Sequence, residues 1–290
     1  MDKYIITSDS TTDIGAETMR ALNVPFVRMR YILDGKEYLD AMDDSVAIEI
    51  YEGMKNGLVY STSQPTSEDF ETLWIPLLES GLDILHVCFS SGQSGTINCA
   101  TMVAKELEEK FPERRIIVVD SLCSSAGEGL LLEYVVDKKN SGADIDTCYN
   151  YLMDMRLKVE HRFTVGELLY LKRGGRISST AAFFGDVLQI KPLLDLDLEG
   201  RIIPRRKVKG RKNALKAIAE EIFATIDIEQ TKYIRIGHAH CPEDVEYMVK
   251  LLHERLPDMP VRISYIGSVI GTHCGPGTLA MFYIGNGRHQ

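Results

Sequence analysis

The chain has 290 residues, of which 44% are hydrophobic and 26% charged, a composition that supplies enough apolar material for a globular core. Intrinsic disorder is excluded on that ground, and glycine without a period of three excludes a collagen-like chain. Lys plus Arg number 33 against 42 for Asp plus Glu, a formal charge of −9. A uniformly basic nucleic-acid binder is thereby excluded, because phosphate affinity comes mainly from Lys and Arg displacing counterions.

No apolar run reaches the roughly 18 residues of a membrane-spanning helix. The opening segment MDKYIITSD carries an acid at once and lacks the long apolar middle of a secretory signal. The six cysteines lie far apart without a Cys-x-x-Cys pair, so they read as reduced thiols, and the expected location is the cytoplasm.

In chain order, residues 3–8 form a β-rich run leading into Asp9-Ser10-Thr11-Thr12-Asp13. Residues 26–39 read as two strands around Asp34-Gly35, a hairpin turn signal. Residues 66–78 place Phe70, Leu73, Trp74 and Leu77 on one helical face, with Thr66 and Asp69 at capping-box spacing. Residues 82–89 form a second strand, which leads into the Ser90–Thr96 loop. A helix follows with Ala100, Val103, Ala104 and Leu107 at i, i+3, i+4, i+7, and then a strand at 115–119. Strands alternating with helices predict βαβ units and a largely parallel sheet.

From about residue 160 the pattern changes. Residues 189–198 and 201–208 read as a hairpin around Glu199-Gly200. A helix with Leu215, Ile218, Ala219 and Ile222 on one face follows, then a strand near 233–238 and a helix opened by Pro242. Val261, Ile263 and Tyr265 alternate with Arg262 and Ser264, as in a half-buried strand, and a last strand lies near 279–284. The fold class is α/β, with two domains at 1–160 and 161–290, the second mixing hairpins with helices.

Four stretches hold more glycine and hydroxyl than a core needs: Ser61–Pro65, Ser90–Thr96, Leu171–Ser178 and Gly271–Gly277. They suit an anionic head group. Ser94-Gly95-Thr96 stands where a strand hands over to a helix, whose first N–H groups are unpaired and electropositive. Thr62 and Ser94 offer hydroxyls, Arg173 or Arg176 a fixed positive charge, and His273 a further donor. Taken singly, such hydroxyls are ordinary helix caps and Gly-Gly an ordinary turn.

Other chemistries compete. Gly92-Gln93-Ser94-Gly95 resembles a nucleophile elbow, with Asp120 and His273 following in hydrolase order, although Thr96 occupies the last elbow position. Gly237-His238-Ala239-His240-Cys241 could start a metal site, but no partner cluster is evident. Asp195-x-Asp197-x-Glu199-Gly200 opens like a calcium loop, yet Arg206 stands where its bidentate Glu belongs. A phosphate-binding loop of the ATPase type and a dinucleotide fingerprint are both missing. Residues 201–212 hold Arg201, Arg205, Arg206, Lys207, Lys209, Arg211 and Lys212 without an acid. They form either a focused basic patch or a charged hairpin edge that resists aggregation.

Asp9-Ser10-Thr11, Thr62-Ser63-Gln64-Pro65, Ser94-Gly95-Thr96, the Leu171–Ser178 run, Ile190-Lys191-Pro192-Leu193-Leu194 and Gly271-x-His273-x-Gly275-Pro276-Gly277 occur in this order over nearly the whole chain. In this ordered set the chain resembles the DegV family of bacterial fatty-acid-binding proteins. The resemblance implies an α/β/α domain with a mostly parallel sheet followed by an α/β domain with a mixed sheet, the ligand lying between them. It implies a long-chain fatty acid in a buried apolar pocket, its carboxylate met by Thr62, Ser63, Ser94, Gly95, Thr96, Arg173 and His273. It further implies no cofactor, no metal and no catalysis of the chain's own. The acyl chain would be presented to a separate fatty acid kinase subunit for acyl-phosphate formation, in the service of phospholipid synthesis, with transient membrane contact for lipid exchange. Arg176, Arg205, Arg206 and Lys209 are the residues expected to dock the kinase. Gln93 and Ile97 depart from the usual pattern of the second loop and leave Ser94 and Thr96 in place. A serine hydrolase acting through Ser94 and His273, and a regulatory module for some other anion, remain the alternatives.

Overall fold

The computed structural model describes residues 3–177 and 190–288; Ser178, the end of one of the motifs, lies outside them. The chain opens with β1 (Tyr4–Asp9), a 3-10 turn (Ser10–Thr12), α1 (Ala16–Ala21) and β2 (Phe26–Val27). β3 (Arg30–Leu33), β4 (Lys36–Leu39), α2 (Asp44–Lys55), β5 (Tyr60–Ser63) and α3 (Ser67–Glu79) follow. Next come β6 (Asp83–Cys88), α4 (Thr96–Lys110), β7 (Ile116–Asp120), α5 (Ala126–Asn140) and α6 (Ile145–Met155).

The first sheet runs β2-β1-β6-β7 and is parallel throughout. Residues alternate between its faces. Ile5 and Ile84 meet Phe70 and Trp74 of α3 and Val103 and Leu107 of α4, while Ile6, Leu85 and Val87 face α5. Full burial of a side chain such as Phe70 stabilises by about 1.5–3 kcal/mol. α3 starts with the capping box read from the sequence: Asp69 Oδ2 accepts the Thr66 N–H at 2.7 Å and Thr66 Oγ1 accepts the Asp69 N–H at 3.4 Å. From the central β1 the chain goes to β2 on one side and β6 on the other. The switch point therefore lies between the carboxyl ends of β1 and β6, where ligands bind in open α/β sheets.

The 26–39 segment differs from the expected single hairpin. Phe26 and Val27 pair with β1 in the parallel sheet, and only β3 and β4 form the hairpin, with β5 completing a three-stranded antiparallel sheet. Asp34 and Gly35 both have positive φ, at 49° and 75°, as the tight hairpin turn demands.

The second part contains β8 (Val159–Thr164), α7 (Leu168–Arg173), β9 (Ile190–Leu196), β10 (Ile202–Lys209) and α8 (Arg211–Thr225). It ends with β11 (Ile234–His238), α9 (Pro242–Arg255), β12 (Val261–Tyr265), α10 (Ser268–Cys274) and β13 (Leu279–Ile284). Its six-stranded sheet runs β10-β9-β8-β13-β11-β12, with β11 and β12 parallel and the other pairs antiparallel. This is the mixed sheet expected. The boundary read at 160 falls at the second residue of β8, which belongs to this sheet. α8 and α9 cover one face through Leu215, Ile218, Met248 and Leu252. Ile263 departs from the half-buried reading of β12. It is exposed on this edge strand, while Val261 and Tyr265 on either side of it are partly buried against the cores.

α5 lies between the two sheets. Its residues from Ala126 to Val136 are all buried, so it shows no amphipathic stripe. Leu130 and Leu131 share one core with Leu85 and Val87 of the first sheet and Phe282 and Ile284 of the second. Two glycines permit its close fit. A Cβ at Gly127 would lie 2.3 Å from His161 Nε2, and one at Gly129 would lie 2.5 Å from the Thr12 carbonyl oxygen.

Candidate functional site

The loop after β6 turns on Ser90, whose carbonyl accepts the N–H groups of Gln93 and Ser94 at 3.1 Å each. It delivers Ser94 to the start of α4. Ser94 Oγ accepts the Thr96 N–H at 3.3 Å and lies 2.8 Å from Thr96 Oγ1, so it satisfies one of the unpaired N–H groups of the helix. Thr96 itself is buried behind it. The same loop is tied to the second domain, since Ser90 Oγ and Gln93 Nε2 both donate to the Gly200 carbonyl at 3.0 Å. The β9–β10 turn is thus fixed to the loop that carries Ser94.

Across the cleft, β5 presents Thr62 and α10 presents His273, with Thr62 Oγ1 and His273 Nε2 2.8 Å apart. The other ring nitrogen of His273 faces Gly174, where a Cβ would approach Nδ1 to 2.3 Å. Glycine is required there by space; its φ of −71° is one any residue adopts. Burial and the neighbouring Arg176 push the His273 pKa down to about 4. The imidazole is therefore neutral at neutral pH and can donate or accept one hydrogen bond at each nitrogen.

Arg176 is half-buried and donates to the carbonyls of Gly174 at 2.5 Å and Gln93 at 3.3 Å. Burial lowers its pKa, and a guanidinium stays charged under such a shift. Among the described residues it forms no ion pair with a carboxylate. Arg176, named from the sequence both as a head-group charge and for kinase docking, lines the cavity beside His273. Arg173, expected at the carboxylate, is exposed on the last turn of α7 with its guanidinium 5.9 Å from the Tyr170 ring centroid. The reversal at Gly174-Gly175, where Gly175 has φ of 71°, sends one arginine outward and the other inward.

Thr62, Ser63, Gln64, Ser94, Gly95, Arg176 and His273 form the polar end of a cavity of about 160 Å³. That is about tenfold the ~10–15 Å³ a single water needs, room for an extended ligand. Apolar side chains complete the walls: Met29, Phe89 and Val269, which pack together, and Phe163, Leu171, Leu196, Ile202, Ala280 and Phe282. Ser124, Ser125, His161 and Thr278 add polar groups to the lining. His161 Nε2 accepts the Ser124 N–H at 3.1 Å, and its ring stands edge-on to Phe282. These deeper residues were not singled out by the sequence. His161 and Phe163 on β8, and Ala280 and Phe282 on β13, do alternate, but a cavity wall and a solid core give the same alternation.

A family model described as "Uncharacterised protein, DegV family" matches residues 3–286. The chain belongs to the DegV family. A DegV domain-containing protein of Clostridium perfringens is 37% identical over 287 residues, 99% of each chain. The solved structure titled for fatty acid binding of a DegV family protein from Thermus thermophilus is 28% identical, with a TM-score of 0.86 over 98% of this chain and 99% of that one. The Bacillus subtilis structure described as DegV, a fatty acid binding protein, is 26% identical, with a TM-score of 0.83 over 99% of this chain and 100% of that one.

In this DegV chain the hydrolase arrangement is not assembled. Ser94 bonds Thr96, His273 bonds Thr62, and Asp120 accepts the N–H groups of Ser91 and Leu122 at 3.1 Å each. His238 packs on Tyr265 at 4.2 Å between ring centroids and accepts the Cys241 N–H at 3.4 Å. Asp197, in the calcium-like stretch, caps its own turn by accepting the Glu199 and Arg201 N–H groups. Asp9, His86 and Cys88 bring ligand-type atoms within 4.8 Å of one another. Both Asp9 oxygens already accept backbone N–H groups, however, and burial raises the Cys88 thiol and lowers His86 to about 3.

The basic hairpin is less bare than its sequence suggests. Arg205 lies 3.5 Å from Asp195, Arg206 lies 3.5 Å from Glu221, and Arg211 pairs with Asp244 at 2.9 Å. Arg205, Arg206 and Lys209 remain exposed on β10, an edge strand of the sheet. Among the described residues no helix is long and apolar enough to cross a membrane.

Proposed function

We propose that this protein binds one long-chain fatty acid between residues 1–160 and 161–290, with the carboxylate at Thr62, Ser94, His273 and Arg176. The observation that carries the reading is a cavity whose lining joins hydroxyls, a neutral imidazole and a guanidinium to apolar side chains from the second sheet, α7, α10 and the segments after β2 and β6. Solved DegV relatives described as fatty-acid-binding proteins share the fold. Each buried CH₂ contributes about 0.8 kcal/mol, so the chain supplies affinity, while the buried carboxylate needs hydrogen bonds and a counter-charge to offset its desolvation. Native mass spectrometry of the purified protein, with organic extraction, tests the reading. A stoichiometric fatty acid is expected; an empty protein that takes up neither oleate nor palmitate would refute it.

The protein is further proposed to carry its acyl chain to a separate fatty acid kinase without catalysing the transfer itself, with cytoplasmic location and transient membrane contact for lipid exchange. Arg205, Arg206 and Lys209 then form the docking surface, on a hairpin whose turn is bonded to the head-group loop at Gly200. Reversing both arginines (Arg205→Glu with Arg206→Glu) should lower kinase turnover and leave oleate affinity unchanged. Unaltered turnover would remove this docking surface.

A further inference from the structure

Beneath the cavity wall lies a group the head-group site does not use. Asp13 follows the 3-10 turn and is buried with a left-handed backbone, φ 49°. Its Oδ2 is 2.5 Å from Ser125 Oγ. Ser125 is the residue before α5, also left-handed at φ 53°, and its side chain lines the cavity. The carboxyl also accepts the N–H of Gly267, the residue before α10. A Cβ on Gly267 would lie 2.5 Å from Asp13 Oδ1, which is why glycine stands there. α10 is held at the same end by Tyr51, whose hydroxyl donates to the Ile266 carbonyl at 2.5 Å, and it carries His273 on its last turn. Two strained non-glycine residues meeting beside a binding cavity mark a place where backbone strain serves function.

We propose that Asp13 is a positioning residue of the head-group site, acting through Gly267 on the placement of His273 and through Ser125 on the hydroxyl presented to the cavity, with its ionisation state controlling both. The inference rests on the fatty-acid reading for its ligand and on geometry for its mechanism. As the neutral acid, Asp13 accepts the Gly267 N–H on Oδ1 and donates its own proton from Oδ2 to Ser125 Oγ. The Ser125 hydroxyl hydrogen is then free to point into the cavity toward a ligand oxygen. As the anion, Asp13 takes that hydrogen and the cavity loses a donor. The surroundings favour the neutral acid. Asp9 at the end of β1, Asp40 ahead of α2 and Glu128 on α5 are buried acids, and Tyr51 on α2 and Cys274 on α10 also face it. The nearby cation, Arg28, acts on Asp40. Burial, then Asp40 and Asp9, push the Asp13 carboxyl well above the usual carboxylate range, against the pull of its Ser125 and Gly267 hydrogen bonds.

The test compares wild type with Asp13→Asn, a non-titrating mimic of the neutral acid, and Asp13→Ala. Oleate affinity is followed from pH 6.5 to 10 by displacement of a fluorescent fatty acid, a range in which His273 stays neutral. Wild-type affinity should fall as pH rises, Asp13→Asn should match wild type at the low end and stay flat, and Asp13→Ala should bind about tenfold more weakly throughout. A second readout needs no ligand. The His273 ring signal in NMR, assigned by its loss in His273→Gln, should titrate alike in wild type and Asp13→Asn and move toward an ordinary histidine value in Asp13→Ala. Should Asp13→Ala not fold, Ser125→Ala removes the serine end alone and should flatten the pH profile. Parallel profiles for wild type and Asp13→Asn, or an unmoved His273 signal in Asp13→Ala, would overturn the proposal. A wild type that fails to bind oleate refutes the fatty-acid reading instead and leaves the ring titration to decide on Asp13.

Discussion

The contact between Gly174 and His273 gives the sharpest test of the head-group geometry, because adjacent glycines should fail for opposite reasons. Gly174 has a helical backbone, φ −71° and ψ −13°. By backbone entropy alone, Gly174→Ala should stabilise the fold by about 0.4–1 kcal/mol. The new Cβ would lie 2.3 Å from His273 Nδ1 and 3.3 Å from Cγ and Cε1. Ordinary contact needs about 3.5 Å, so the ring must retreat by roughly 1 Å. Because Nε2 lies across the ring from Nδ1, a retreat of that size drives it into Thr62 Oγ1, only 2.8 Å away, and the hydrogen bond cannot keep its geometry. Overpacking of this kind costs about 1–3 kcal/mol, which exceeds the entropic gain. The variant should be destabilised by about 1 kcal/mol or more, and oleate affinity should fall about tenfold. Gly175→Ala is the contrast: its φ of 71° makes the backbone strained, yet nothing lies within 4 Å of a Cβ there. It should lose roughly 1 kcal/mol from strain and keep its affinity. Urea denaturation and displacement titration of both variants read this directly. If Gly174→Ala proved more stable than wild type with unchanged affinity, the ring would not rest against this glycine, and the head-group geometry would be wrong.

His273→Gln should flatten one part of the stability–pH profile. A histidine pKa lowered from 6.5 to about 4 means that the folded state binds fewer protons than the unfolded state between those values. Its contribution is therefore present above pH 6.5 and lost as pH falls through the window, by about 3 kcal/mol in all. The wild type should lose that much more than the glutamine variant in urea melts compared at pH 6.5 and pH 4, and equal losses would contradict the burial of the ring. Arg176→Gln should lower oleate affinity at least tenfold and weaken its dependence on salt, whereas Arg173→Gln should change neither. The reverse pattern would restore Arg173 to the carboxylate.

The sequence made strand–loop–helix handovers legible because each used a local signal. β1, β6 and β7 are short apolar runs closed by hydroxyl or acidic residues, α3 has its capping box, and α9 opens on Pro242. Those signals place Ser94 in a loop at the carboxyl end of a strand, whereas Thr62, inside β5, stood out only as part of a hydroxyl-rich stretch, and the family motifs then assign both a ligand. α5 escaped the same reading because a helix covered on every side has no polar face to supply a period. Its requirement for small residues at Gly127 and Gly129 comes from His161 and Thr12, partners far away in sequence. The choice between Arg173 and Arg176 was not legible for a different reason. Three residues apart, they are equivalent by composition, and only the end of α7 and the turn at Gly175 decide which one faces the cavity.

That choice also explains how this site can hold an anion without a dedicated acidic or metal partner. A half-buried charge such as Arg176 is partly stripped of water and needs partners, and here the guanidinium meets two backbone carbonyls, on the β6–α4 loop and on the turn after α7. Those bonds fix its plane and join the two loops, but carbonyl dipoles do not cancel a unit charge. His273 stays neutral there because burial, and after it the charge of Arg176, disfavour the imidazolium, so the group presents one positive charge and two directional hydrogen-bonding groups, His273 and Thr62. A carboxylate fits that set in charge and in number of lone pairs. Arg176 supplies the counter-charge, Thr62 and Ser94 the neutral donors, and the N-terminus of α4 a favourable dipole. An exposed arginine such as Arg173 would attract the same anion only weakly through water. On the proposed fatty-acid reading, the inward turn at Gly174-Gly175 is therefore the local feature expected to make the cavity prefer acids over esters and alcohols.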